Sequence, residues 1–160
     1  MTALAAATAA PDVARTFLAR YQGFRDKLPG DLAIRDAAAE IFSGGFPTTR
    51  DEAWHYTSLR PLNDVVFHTA LTPIADCAGL MARLPAIDAP RLVFIAGRFR
   101  EDLSVVPESI SVRVGGPTFG GLARPETDRL VALNTMLTED GATLQVAAGV
   151  DAGALMLVSL

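Results

Sequence analysis

With 160 residues, half of them hydrophobic, the chain can form one domain, or a small helical lobe plus part of a second, and its apolar content excludes wholesale disorder. The 14 basic and 18 acidic side chains leave a net charge of −4 with no basic block, which argues against nucleic acid as a partner. No apolar run approaches the roughly 20 residues of a membrane span, and a single cysteine excludes an intrachain disulfide and suits a reducing compartment, so a cytoplasmic protein free of membrane is expected.

Residues 1–10 are Ala-rich and lack the basic start and apolar middle of a secretory signal, which makes them a flexible tail. Val13, Phe17, Tyr21, Phe24 and Leu28 then recur at spacings of three and four, the signature of an amphipathic helix that Pro29-Gly30 ends. Asp31 is a suitable N-cap for a second helix that turns Ile34, Ala38, Ile41 and Phe42 inward and stops at Gly44-Gly45. In the passage Phe46 to Leu62, FPTTRDEAWHYTSLRPL, Thr49 and Glu52 have the spacing of a capping box, which predicts a short helix carrying Trp54, Tyr56 and Leu59 and ending near Pro61. Thr72-Pro73 marks another helix start, with Ile74, Cys77, Leu80, Met81 and Leu84 as its apolar stripe and Pro85 as its end.

After Pro90 the pattern becomes extended. Arg91 to Ala96 reads as a strand, Gly97 as a turn, and Phe99 to Leu103 as the returning arm of a hairpin. Ser109 to Val114 alternates like a half-buried strand, and the glycine-rich run Gly115 to Gly121 is a connector. A last helix from about Glu126 to Leu137 sets Leu130, Leu133 and Leu137 on one face, and two strands follow, Ala142 to Ala147 and Ala154 to Leu160. The expected fold is therefore α+β: a tail at 1–10, a helical lobe at 11–90 and a β-rich lobe at 91–160. The final strand carries no charge, so it either lies within this chain's own sheet or offers an open edge to another copy.

Few side chains could carry chemistry. His55, His68 and Cys77 are the only soft or borderline metal ligands, and with Asp51, Glu52, Asp64 and Asp76 they match no structural zinc spacing. An iron–sulfur cluster normally needs several cysteines, so one held here would be shared between chains. Cys77 sits on an apolar stripe and reads as a small buried hydrophobe with an inert thiol. There is no G-x-S-x-G element, and Gly115 to Gly121 lacks both the dinucleotide spacing and the P-loop lysine. Trp54 and Tyr56 either form a partner surface or, in the favoured reading, Trp54 clamps its segment to the lobe. No residue is assigned a catalytic, cofactor or metal role, and a small metal-dependent hydrolase built on His55 and His68 is the least favoured reading.

Three passages carry a resemblance. Phe46 to Leu62 is similar to a P-x-x-R-x-E-x-W-x-Y-T-x-L signature through Pro47, Arg50, Glu52, Trp54, Tyr56, Thr57 and Leu59. Leu92 to Leu103 resembles a strand, glycine turn and strand of the same family, and Ala132 to Val150 its A-L-N-T…D-G passage through Leu133, Asn134, Thr135 and Gly141. On these the chain resembles the amino-terminal part of the SufB/SufD family of iron–sulfur cluster assembly proteins, on the SufD side of it. The resemblance implies a non-enzymatic scaffold component of the SUF system that works with SufB and the SufC ATPase. It also implies that the β-rich lobe is the truncated start of a right-handed β-helix. The iron–sulfur cluster is implied only for the complete complex. The family's cluster ligands and SufC-docking lobe have no counterpart before Leu160. The signature residues are thus expected to be structural, and the rival from another class is a module that self-associates through its C-terminal strand.

Overall fold

The computed structural model describes residues 13–67, 77–84, 89–114 and 122–160. The expected tail at 1–10, His68, the start of the helix at Thr72-Pro73, Pro85 and the connector at 115–121 lie outside the described residues. The architecture is α+β, and contacts divide it into two units, each assembled from separated stretches of sequence. Of the described residues, 13–67 and 122–137 form a helical unit, while 77–84, 89–114 and 138–160 form a strand unit. The division is thus not a single cut near Pro90. A helix late in the sequence completes the first unit, and an earlier helix belongs to the second.

In the helical unit, α1 (Val13–Phe24) buries Val13, Ala14, Phe17 and Tyr21 at helical spacing. A 3-10 turn at Arg25–Lys27 and Gly30, with φ 85, a left-handed value that glycine adopts freely, redirect the chain. Asp31 then caps α2 (Leu32–Phe42) by accepting from the Ala33 N–H at 2.8 Å. The α2 face turned inward is Arg35, Ala38, Ala39 and Phe42, whereas Ile34 and Ile41 are only partly buried. An arginine at a core position of an apolar-spaced helix is the correction here, and its hydrogen bonds explain it.

Arg35 donates to the Pro29 carbonyl at 2.8 and 2.6 Å and to the Thr135 and Met136 carbonyls at 3.2 and 2.9 Å. It thereby satisfies the last carbonyls of α4 (Arg129–Leu137), where the helix dipole is negative. Burial lowers the pKa of this guanidinium. The α4 face that is most buried is Ala132, Thr135 and Met136, not the expected row of Leu130, Leu133 and Leu137, which are half-buried. Small Ala38, Ala39 and Ala132 occupy the core between α2 and α4. Phe17, Phe42 and Phe46 meet edge to face at centroid separations of 5.5 to 6.3 Å, and Phe67 tilts onto Phe17 at 5.0 Å. At the rim, Asp36 accepts from Tyr21 at 2.7 Å and from Arg25 at 2.7 and 2.5 Å. Arg25 first, then Tyr21, holds the Asp36 carboxyl down to about 2, and burial with the Asp36 bond pushes the Tyr21 phenol up to about 12.

The strand unit is organised by β1 (Arg91–Ile95), paired on both sides. Antiparallel β2 (Arg98–Phe99) follows through a two-residue turn in which Ala96 and Gly97 take φ 50 and 77, the left-handed pair a tight hairpin requires. Parallel β5 (Met156–Ser159) lies on the other side, Arg91 opposite Met156 through Phe94 opposite Ser159. The final strand therefore joins this chain's own sheet, as its edge member in the order β2-β1-β5. Val93, Ile95 and Val158 are buried beneath it with Met81 and Leu84 on or just beyond α3 (Cys77–Met81).

The hairpin arm expected to run to Leu103 stops at Phe99 and gives way to a 3-10 turn at Glu101–Leu103. Arg100 folds its side chain onto Asp102 at 2.7 and 2.8 Å, while the segment stays tied to β1 by the Ser104 hydroxyl, which takes the Val93 N–H at 2.9 Å, and by an Arg91–Val105 bridge. A separate antiparallel pair, β3 (Ile110–Val114) and β4 (Ala142–Val146), completes the described strands, which form no β-helix.

Candidate functional site

The signature passage folds as a strap over the helical unit, without the expected helix. Only Glu52–Trp54 is helical, as a single 3-10 turn, and Pro61 lies within the first turn of a second one, Arg60–Asp64, instead of closing a helix. The expected Thr49–Glu52 box is displaced by one residue. Asp51 accepts from the Thr48 N–H at 2.7 Å and from its hydroxyl at 3.1 Å, while the Asp51 N–H bonds the Thr48 carbonyl at 2.9 Å. Asp51 wins over Glu52 because its carboxylate has a second partner: Arg129 reaches it at 2.7 Å and the Gly44 carbonyl at 3.0 Å. The Thr48 N–H foremost, aided by the Thr48 hydroxyl and Arg129, holds the Asp51 carboxyl below the usual range.

A second clamp lies beside the first. Asp128 accepts from the Leu130 N–H at 2.6 Å, so it caps α4, and its other oxygen accepts from Trp54 Nε1 at 3.2 Å. Trp54 is half-buried and Pro47 is buried. The strap is thus held by two adjacent residues at the start of α4, Asp128 and Arg129. No sequence spacing links these positions to the strap; the helix-start signal of Asp128 is visible, but its second partner is not.

The signature side chains divide accordingly. Pro47, Trp54 and Leu59 face the unit, with Leu133 packed on its core and Thr135 buried. Arg50, Glu52, Tyr56, Thr57 and Asn134 are exposed, and Tyr56 retains 97% of its accessible surface. Tyr56 stacks edge-on against His55 at 4.7 Å, and His55 Nδ1 lies 3.3 Å from the Thr49 carbonyl oxygen. Gly141 belongs to the strand unit, where its N–H bonds Asp140.

The described residues considered for metal or nucleophilic chemistry are not gathered, and His68 and Asp76 lie outside the described residues. Among the described residues no three His, Cys, Asp or Glu side chains approach closely enough to share a metal ion. Ser58 accepts from the Arg60 N–H, whereas His55 lies against Thr49 and Tyr56. Cys77 packs against the cluster of Val93, Ile95 and Val158, as its apolar stripe implies, but it is only half-buried, and Arg100 Nη1 donates to its sulfur at 2.9 Å. The Asp102 and Cys77 contacts raise the Arg100 pKa, and Arg100 in turn lowers that of Asp102. No described helix is long and apolar enough to cross a membrane.

A groove of about 330 Å³ opens along the strap, with Phe46, Pro47 and Leu59 as its apolar lining and Thr49, Arg60 and Asn63 among its polar side chains. A scan of protein-family models gives no match to this chain, and a search of curated proteins gives none either.

Proposed function

We propose that the chain is the amino-terminal segment of a SufD-like scaffold in the SUF iron–sulfur cluster assembly machinery, binding proteins in the cytoplasm and catalysing no reaction itself. One observation carries the reading: the three motif passages, far apart in sequence, support one another in the fold. The strap of the first passage is clamped by Asp128 and Arg129, just ahead of the third passage, and its Phe46 packs on the cluster that includes Ala132, Leu133 and Met136 of that passage. The hairpin of the second passage is bonded to that same third passage, since the Phe99 N–H donates to Asp140 at 2.9 Å and Arg98 pairs with Glu139. Passages that hold each other in place have a physical reason to be inherited together. The parallel pairing of β1 with β5 is the arrangement by which a β-helix stacks its strands, and supports reading the strand unit as the start of one. The cluster, with its iron and sulfur, is cargo of the complete complex in this reading. The gene product carrying this segment should co-purify with SufB and SufC when the three are co-expressed; recovery of neither partner overturns the proposal.

A second reading is favoured by the sheet edge. Along β5 the Met156 N–H bonds the Pro90 carbonyl and the N–H of Leu160, just past the strand, bonds that of Phe94, so the N–H groups of Leu157 and Ser159 point the other way, and Leu157 is 68% exposed. A charge-free edge of this kind can add a strand from a second copy. Sedimentation over the micromolar range distinguishes the two, since strictly monomeric behaviour eliminates self-association.

A further inference from the structure

The groove along the strap has a one-sided chemistry. Among the described residues no Asp or Glu lines it, although the chain as a whole is acidic. Arg60, the one charged residue in its described lining, makes no side-chain hydrogen bond or ion pair among the described residues; Asp64, four positions on, does not pair with it. By contrast Arg25, Arg98, Arg100 and Arg129 each hold a carboxylate, and Arg35 holds three carbonyls. Arg60 and Asn63 stand three apart in a 3-10 turn, the spacing that brings two side chains over one another on one face. Both therefore present donors to the groove above an apolar lining of Phe46, Pro47 and Leu59.

We infer that this groove seats a short segment of a partner protein carrying a carboxylate beside an apolar side chain, the carboxylate on Arg60 and Asn63 and the apolar group on Phe46 and Leu59. The inference rests on the reading of the chain as a protein-binding scaffold and names the chemistry of one partner. Charge complementarity selects an acidic occupant. The apolar lining selects a peptide over a free anion, because a small anion would leave that carbon surface facing water. A planar guanidinium suits a carboxylate in a fork of two bonds, which fixes the register of the segment.

The test is selection of a random heptapeptide phage library on the full chain, followed by fluorescence anisotropy with the selected peptides. The expected peptides carry Asp or Glu next to Leu, Ile or Phe. Arg60→Gln should weaken their binding roughly tenfold or more, the worth of a charge-assisted hydrogen bond, and Asn63→Ala roughly threefold. Arg60→Glu should turn the selection toward Lys and Arg. Trp54 fluorescence verifies that each variant is folded. Peptides without acidic bias, binding unchanged in Arg60→Gln, or displacement by equimolar inorganic phosphate would overturn the inference. So would binding seen only after removal of residues 1–12, which would assign the groove to the chain's own tail. Because the selection uses neither SufB nor SufC, its failure leaves the co-purification result to stand or fall alone.

Discussion

The two units are closed by different kinds of bond. In the helical unit the long-range ties run through side chains: Arg35 on the carbonyls of α4, Asp128 on Trp54, and Arg129 on Asp51. In the strand unit the backbone leads, with β5 laid along β1 residue by residue, while side chains add ties from Asp140 and Glu139 to the hairpin and from Cys77 to Arg100. A helix spends its own N–H and C=O groups internally and has only side chains and its end groups to offer a neighbour, whereas a strand offers its whole backbone. The helical unit should therefore be sensitive to single polar substitutions, and the strand unit to changes that disturb packing or its edge.

The sole tryptophan, Trp54, reports on the helical unit, which lets that contrast be broken or sharpened. The largest effect is expected from Phe42→Ala, which opens a cavity beside the Phe17 and Phe46 rings and should destabilise the helical unit by about 4 kcal/mol in Trp54-monitored urea unfolding. Arg35→Met should follow at about 3 kcal/mol, because it strands the Pro29, Thr135 and Met136 carbonyls in the interior. A near-neutral Arg35→Met would mean that the buried guanidinium is replaceable by apolar packing, and would erase the contrast. In the strand unit, Val93→Ala should cost about 2 kcal/mol, seen as faster hydrogen exchange of β1 and β5 amides.

Asp128→Ala removes a helix cap and the tryptophan's acceptor together, and should lower the helical unit's stability by about 1 to 2 kcal/mol with a red-shifted Trp54 emission. Acid offers a finer probe. The Asp36 carboxyl lies lower in the folded chain than its ordinary value of 3.8, so its contribution is complete above pH 4 and is lost as the pH falls toward about 2. Asp36→Asn should flatten the Trp54-monitored acid transition in that window and leave hydrogen exchange in the strand unit unaltered. Leu157→Lys is expected to change stability by less than about 0.5 kcal/mol, while abolishing any concentration-dependent sedimentation.

Much of this was legible in local patterns. The apolar spacing of α1, the Asp31 cap, the Gly97 turn and the strands at 91, 110, 142 and 156 are consequences of near neighbours, and near neighbours are what a sequence displays. The strap was legible as a distinctive passage and misread as a helix, because T-x-x-E spacing is a valid cap only when no better acceptor competes. Asp51 competes successfully since Arg129, far along the chain, neutralises it.

Sequence alone determined the class of structure, the positions of most turns and the lack of a conventional catalytic motif. Tertiary structure alone decided that an arginine would lie at the heart of the helical unit, that α4 would complete one unit and β5 the other, and which strap residues face outward. The reason is the same in each case: a polar group enters a protein interior only where distant backbone or charge satisfies it, and that partner is supplied by the fold and not by the neighbouring sequence.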